Sequence, residues 1–341
     1  MADIKKILVT GGLGFIGSNF VRHVLQTKDW HILNLDLKTY SGNPENLKEF
    51  SGNPRYQWIH ADITDPTAVK PLMGQVSTVI HFAAETHVDR SILDGTSFVK
   101  TNVLGTQVLL EAARENNMKL FLHVSTDEVY GSVAQGESLE TDPLLPNSPY
   151  AASKASSDLM ARAYHVTHGL PVVVTRCSNN FGPYQYPEKA LPLLITNAMR
   201  DIPFPLYGDG SHVRDWLYVI DHVKALILLL EKGVPGEIYN IGGSFSISNR
   251  DLVNQVLGIM KKPTTLIQPV ADRPGHDRRY ALNCDKLKKL GWKPETSFQE
   301  ALHETIRWYQ AHKDWWQPLI EKKSFQTYYK KQYEDRPGEK G

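Results

Sequence analysis

Residues 10 to 18 read TGGLGFIGS, and they decide how the rest of the chain is to be folded. They follow an apolar run, KILVT, and open a segment of helical period, SNFVRHVLQT. Gly12, Gly14 and Gly17 satisfy G-x-G-x-x-G, and Gly11, Gly14 and Gly17 satisfy G-x-x-G-x-x-G. Glycines let the backbone turn tightly and approach a pyrophosphate, whose charge the amides of a helix N-terminus can hold. A glycine pattern alone is weak. Strand before, helix after and an acid at the right distance make it strong. That acid is Asp36, ending WHILNLD nineteen residues beyond Gly17. A carboxylate there accepts hydrogen bonds from a ribose diol and repels a 2′-phosphate, so the dinucleotide is expected to be NAD, with Lys38 close by. Asp62 and Ile63, after the third strand, are read either as an adenine contact or as structure.

Outward from this loop, runs such as YQWIHAD, STVIHFAA and LFLHVST alternate with helical segments such as TSFVKTNVLGTQVLLEAARENN. Such alternation predicts an α/β fold, a Rossmann-type doubly wound parallel sheet with helices on both faces. YAASKASSDLMARAYHVTHG is expected to be a helix stopped at Gly169. From about Phe181 prolines and aromatics crowd together, which predicts a smaller α/β lobe. The expected division is 1–180 for dinucleotide binding, with returns near 215–243, then 181–330 for substrate, and 331–341 as a flexible tail.

The bulk numbers exclude several classes. The 341 residues carry 38 Lys and Arg against 37 Asp and Glu, a net charge of +1, which favours neither nucleic acid nor an anionic membrane surface as partner. The longest apolar stretch, near ALILLLEKG, is too short to span a bilayer, and no secretory signal pattern opens the chain. Cys177 and Cys284 are too few for a disulfide scaffold, although they could pair. A cytoplasmic protein is expected.

The chemistry should lie in two further stretches. Tyr150 and Lys154 of YAASK are four residues apart and share a helix face. A lysine cation and a positive nicotinamide would favour the phenolate, which could take a proton from a substrate hydroxyl as hydride leaves the same carbon. VSTDEVYG places Ser125, Thr126, Asp127 and Glu128 at a strand exit. Two adjoining acids in a partly dry site cannot easily both ionise, so a proton donor and an acceptor can coexist there.

With these motifs in hand, the chain resembles the extended short-chain dehydrogenase/reductase family, and within it the nucleoside-diphosphate-glucose 4,6-dehydratases, from about Lys5 to Lys323. The matching stretches are TGGLGFIGSNF, AAETHVDRSI, STDEVYG, YAASKASSD, TRCSNNFGPYQYPEK, YGDGSHVRDWLYVIDH and RPGHDRRYA. The resemblance implies C4 oxidation of a nucleotide-linked glucose, most closely dTDP-glucose, then loss of water across C5 and C6 and hydride return to C6. It implies Tyr150 and Lys154 for oxidation, Thr126 at the C4 oxygen, Glu128 as base at C5 and Asp127 as acid at the C6 hydroxyl. It extends the NAD contacts to Phe15, Ile16, Ala83, Ala84, Thr101 and Asn180, and implies substrate contacts at His87, Asn179, Lys189, Tyr207, Arg214, Asn249, Arg273 and His276. No metal is implied, and Arg278 and Arg279 are left without a role. Ala190 and GGSFSIS depart from the family pattern at the nucleotide end. Dimerisation through the TNVLGTQVLLEAARENN and YAASKASSDLMARAYHV helices is implied by analogy. A sugar-nucleotide 4-epimerase or decarboxylase would not need both acids, and an idle NAD-binding module would not need Tyr150 and Lys154.

Overall fold

The computed structural model describes residues 4–334. Twelve strands occur among them: β1 Lys6–Thr10, β2 His31–Asp36, β3 Tyr56–His60, β4 Thr78–His81, β5 Leu120–Thr126, β6 Val172–Cys177, β7 Asn179–Phe181, β8 Phe204–Tyr207, β9 Val213–Tyr218, β10 Ile238–Ile241, β11 Ser246–Ser248 and β12 Ile267–Val270. Seven form one parallel sheet in the order β10-β6-β5-β4-β1-β2-β3. The strand order reverses between β1 and β4, and a crevice for a ligand opens at such a switch point, beyond the carboxyl ends of the strands. The loop that follows β1 enters it. β5 is buried along its whole length, LFLHVST, as a central parallel strand covered on both faces must be.

Local sequence sets the ends of the helices that matter. The Phe15–Thr27 helix starts at Gly14, straight out of the glycine loop. The Pro149–His168 helix is capped by Ser148, which accepts from the Ala151 amide, and opens on Pro149. It ends at Gly169, whose φ of 68° is the left-handed stop expected for that residue. TSFVKTNVLGTQVLLEAARENN is not one helix: a short turn, Thr96–Phe98, leads into a π-helical segment, Val99–Gly105, before the regular helix Thr106–Glu115. Asn102 holds the wide turn, donating to the Glu85 carbonyl at 3.0 Å and to Ser153 Oγ at 2.8 Å.

One apolar cluster lies on each face of the seven-stranded sheet, and a third, around Phe181, Trp216, Phe298, Tyr309 and Trp316, fills the second lobe. That lobe holds the three-stranded sheet β11-β9-β7 and the parallel pair β12-β8. Of the two segments read as returns, GEIYNIGG supplies β10 to the large sheet. WLYVIDHV does so only in part: β9 pairs with β7 and β11, and the Val219–Lys232 helix that follows packs against the Phe15–Thr27 helix. The physical reason is polarity. β9 carries Arg214 and Asp215, whose charges find partners in the second lobe and would be stranded in a central strand. The tail expectation needs a similar correction. Lys330–Glu334 continues the Lys323–Tyr329 helix, with Gln332 buried; residues 335–341 lie outside the described residues.

Candidate active site

Two cavities meet at the carboxyl ends of the strands. The first runs from the glycine loop to the Pro149–His168 helix and is walled by Gly11, Gly14, Phe15, Ile16, Gly17, Asp36, Asp62, Ile63, Ala83, Ala84, Thr101, Thr126, Asp127, Glu128, Tyr150, Lys154, Asn179, Asn180 and Lys189. The second lies between the lobes and is walled by His87, Tyr207, Arg214, Asn249, Arg273 and His276. Glu128, Asn179 and Lys189 belong to both. Every predicted site residue therefore reaches a wall except Lys38, which is exposed and only lends its backbone amide to Asp36.

The first cavity fits a dinucleotide. Gly11 sits at φ 75°, and a Cβ there would lie 2.6 Å from the Ala83 nitrogen, so the tight turn excludes any side chain. At Gly14 a Cβ would meet only the Gly11 carbonyl, at 3.3 Å, which leaves its other side open to the cavity, with room for a pyrophosphate. Asp36 accepts from the Leu13 amide at 2.9 Å and the Lys38 amide at 2.7 Å. One lone pair on each of its oxygens remains for a ribose hydroxyl. At the other end, His222 Nδ1 pairs with Asn180 Oδ1 at 2.9 Å, and the Asn180 amide donates to the Ser178 carbonyl.

Between the cavities, Asp127–Tyr130 forms a single 3-10 turn straight off β5, with the Glu128 amide donating to Thr126 Oγ1. Asp127 is buried, and its Oδ2 has no hydrogen-bond partner. Burial, then the charges of Glu128 and Asp215, push its carboxyl well above the usual range. Burial raises Glu128 too, but Arg273, Arg214 and Lys189 oppose it. Asp127 is thus the member of the pair shifted further upward, and Glu128 the member with cations facing it.

Tyr150 and Lys154 face the same cavity, as residues four apart on one helix should. In the protein alone the Tyr150 hydroxyl is pushed well up by burial and then by Glu128 and Cys177, with Thr126 working the other way. The Lys154 ammonium donates to the Val124 carbonyl at 2.9 Å, and burial lowers it to about 8. A phenolate in so dry a site would need the positive nicotinamide as well as the Lys154 ammonium beside it.

The second cavity sets three cations, Lys189, Arg214 and Arg273, among three acids, Asp89, Glu128 and Glu188, and is tightly laced. Arg214 donates to the Asp277 and Val213 carbonyls, each at 2.8 Å, and lies over the Tyr280 ring. Arg273 approaches Asp89 at 3.6 Å and keeps a buried Nε without a hydrogen-bond partner. Lys189 Nζ donates to the Thr86 carbonyl at 2.9 Å. Tyr207 donates to Asp89 at 2.9 Å and accepts from Gln332 at 2.7 Å. His276 is bonded to Asp272 at 2.6 Å and stacked on His212, ring centroids 3.7 Å apart. Ligand atoms of His212, Asp272 and His276 lie within 4.8 Å of one another, a grouping the sequence did not suggest. The rings are tilted by only 15°, however, and an ion cannot lie in both ring planes, so the group serves better as a carboxylate-bridged imidazole pair.

Sequence reasoning missed several wall residues. Tyr40, Ser41 and Gly42 edge the first cavity, and Tyr333 closes the second from the segment taken for a tail. Glu188 lies in both walls, buried, with Arg90 donating at 2.8 and 3.1 Å. Arg90 is itself held between the rings of Tyr40 and Tyr328, at 4.1 and 4.3 Å. The signal for Glu188 was its place next to Lys189 in a quoted motif. For Tyr40 and Tyr333 no local pattern existed.

Known proteins resemble this chain over most of its length. A dTDP-glucose 4,6-dehydratase of Streptomyces antibioticus is 51% identical over 320 residues, covering 92% of this chain and 95% of that protein. DesIV, a dTDP-glucose 4,6-dehydratase from Streptomyces venezuelae solved with NAD and TYD bound, superposes with a TM-score of 0.91 at 48% identity, over 92% of this chain and 99% of the other. A UDP-glucuronic acid 4-epimerase from Bacillus cereus superposes at 0.85 with 30% identity, over 90% of this chain and 99% of that one. The fold is thus shared with epimerases, while the higher identity lies with dehydratases. The family profile described as GDP-mannose 4,6 dehydratase matches residues 8–305, and the chain belongs to that family.

Proposed function

We propose that this protein is an NAD-dependent hydro-lyase that converts a nucleoside-diphosphate-glucose, dTDP-glucose foremost, into its 4-keto-6-deoxy derivative. The observation that carries the reading is the acid pair at the junction of the two cavities: Asp127, buried with its Oδ2 unpartnered, beside Glu128, which Arg273, Arg214 and Lys189 face. A 4-epimerase needs only the oxidation apparatus and leaves such a pair without work.

The residues take distinct roles. Gly11, Gly14 and Gly17 with Phe15, Ile16 and Asp36 hold the dinucleotide, supported by Asp62, Ile63, Ala83, Ala84, Thr101 and Asn180. Bound there, NAD supplies the hydride acceptor at C4, the hydride returned to C6, and a positive ring beside Tyr150. Tyr150 takes the C4 hydroxyl proton, Thr126 orients that oxygen, and Lys154 stabilises the phenolate. Glu128 then removes the C5 proton, which a C4 ketone acidifies, while Asp127 gives its proton to the departing C6 hydroxyl. Arg273, Arg214 and Lys189 offset the charge of the diphosphate, with His87, Asn179, Tyr207, Asn249 and His276 around the sugar and nucleotide. Residues 1–180, with the Val219–Lys232 helix and β10 returning to their sheet, serve the dinucleotide, and the rest of 181–334 mainly the substrate. The preference for dTDP rests on the relatives at about half identity.

We also place it in the cytoplasm as a homodimer. Both cysteines are buried free thiols, which suits a reducing compartment, and no described helix is long and apolar enough to cross a membrane. Leu104, Leu159 and Val166, on the two helical segments expected to pair, are 47, 58 and 66% exposed.

The test offers dTDP-glucose to the protein in deuterated water. The product should be a 4-keto-6-deoxy sugar nucleotide with solvent deuterium at C5 and the original C4 hydrogen at C6. A 4-epimer without deuterium at C5 would overturn the reading.

A further inference from the structure

The turn that carries Asp127 and Glu128 ends in Tyr130, whose side chain leaves the cavities and enters a buried polar network behind them. Tyr130 donates to Asn240 Oδ1 at 2.8 Å and accepts from Arg176 Nη1 at 2.8 Å, and the Arg176 guanidinium lies 4.8 Å from the Tyr130 ring centre. On its other side Arg176 Nε donates to Asp158 Oδ2 at 2.9 Å. Asp158 stands one turn beyond Lys154 on the Pro149–His168 helix, four residues on, and so shares the face of Tyr150 and Lys154. Its second oxygen is 3.3 Å from His123 Nε2, on β5 just before Ser125 and Thr126. Arg176 and Asp158 are each 3% exposed, and neither they nor Tyr130 lines either cavity. They cannot touch a ligand.

A buried ion pair is a weak source of stability, because desolvation consumes most of its attraction. Its usual service is to fix one geometry against near alternatives. Here the geometry is specific: Arg176, on β6, joins the acid-bearing turn to the helix that carries Tyr150 and Lys154. We propose that Arg176 is a positioning residue that sets Asp127 and Glu128 in register with Tyr150 and Lys154, so that elimination can follow oxidation on the same bound sugar. The inference rests on the dehydratase reading above. Oxidation depends on Tyr150 and Lys154, whose helix is anchored along its length. Elimination depends on a four-residue turn that Tyr130 and Arg176 tie to that helix by a buried polar link. A displacement of about 1 Å at a reacting group can cost on the order of a hundredfold in rate.

The experiment measures two rates on the full-length protein with NAD and dTDP-glucose: reduction of the nicotinamide, which reports C4 oxidation, and release of the C5 proton to solvent, which reports elimination. Arg176→Met should leave oxidation within about threefold and slow elimination by about fiftyfold or more, so that reduced cofactor accumulates. Arg176→Lys, which can reach one partner but not both, should recover part of the loss. Where Arg176→Met fails to fold by circular dichroism, Tyr130→Phe serves instead. It removes one hydroxyl and should still shift the ratio of the two rates severalfold toward oxidation. A ratio unchanged from wild type in the folded variant overturns the proposal, since a merely structural role would depress both rates together. Failure of the underlying reading looks different: the unaltered protein would itself form no 4-keto-6-deoxy product.

Discussion

The two cavities of this molecule are built on opposite plans. The dinucleotide cavity is assembled from short contiguous pieces at successive strand ends: the glycine loop after β1, Asp36 at the end of β2, Asp62 and Ile63 after β3, Ala83 and Ala84 after β4, and Thr126 to Glu128 after β5. Much of its specificity is backbone geometry, as at Gly11. The substrate cavity is assembled from side chains on distant segments, His87 to Asp89, Glu188 to Leu194, Phe204 to Tyr207, Arg214, Asn249 to Val253, Arg273 to Tyr280 and Tyr333, and its specificity is charge. The lesson is that a site made by backbone tolerates few substitutions but is easy to read, whereas a site made by converging charges can be retuned one residue at a time.

The sharpest way to break this comparison is at the junction. Glu128→Gln should leave nicotinamide reduction by substrate measurable while lowering formation of 4-keto-6-deoxy product by about a thousandfold, the scale of a lost general base. Tyr150→Phe should lose both readouts to a similar degree, and a variant that still reduced its cofactor would remove Tyr150 from its role. Next in size is Arg273→Ala, which subtracts one charge-assisted contact. It should raise the KM for dTDP-glucose about ten- to a hundredfold with little change in kcat, as about 1.5–3 kcal/mol of binding predicts. A loss confined to kcat would shift Arg273 from the substrate wall to the chemistry.

The Asp127 carboxyl allows a test of opposite sign in stability and activity. Its folded pKa is raised, so the folded state binds a proton that the unfolded chain has released. The resulting cost is absent below the unfolded value of about 4 and grows as pH rises from there toward the folded value. Asp127→Asn removes that cost and should melt a few degrees higher at neutral pH, with the gain shrinking toward about pH 4, while its dehydration rate falls. Equal melting shifts at all pH values would show that the carboxyl is not held protonated. The smallest effect belongs to the far wall: Gln332→Ala removes a 2.7 Å bond to Tyr207 and should raise KM by no more than about threefold.

Legibility in the sequence followed the same division. β5 was readable to the residue, because a central parallel strand is a continuous apolar run, and the Pro149–His168 helix showed its stop as Gly169. The π-helical turn at Val99–Gly105 was not, since its extra residue is held by Asn102 bonding to Glu85 and Ser153, contacts 17 and 51 residues away. The same holds for β9, whose Arg214 and Asp215 read as part of an ordinary strand until their partners in the second lobe are known. Residues 331–334 looked like a tail because polar end segments usually fray, yet Tyr333 lines the substrate cavity and Gln332 bonds to Tyr207 in its wall.

By itself, then, the sequence determined the alternation of elements, the glycine turn with its acid, and the chemical types gathered at Thr126, Asp127, Glu128, Tyr150 and Lys154. Those features depend on neighbours a few residues apart, which is where periodicity and spacing speak. Only the tertiary structure decided which of the two acids is shifted further upward, what surrounds the Tyr150 hydroxyl, and which cations face Glu128. These are sums of desolvation and Coulomb attraction over groups that are remote along the chain and adjacent only once it has folded.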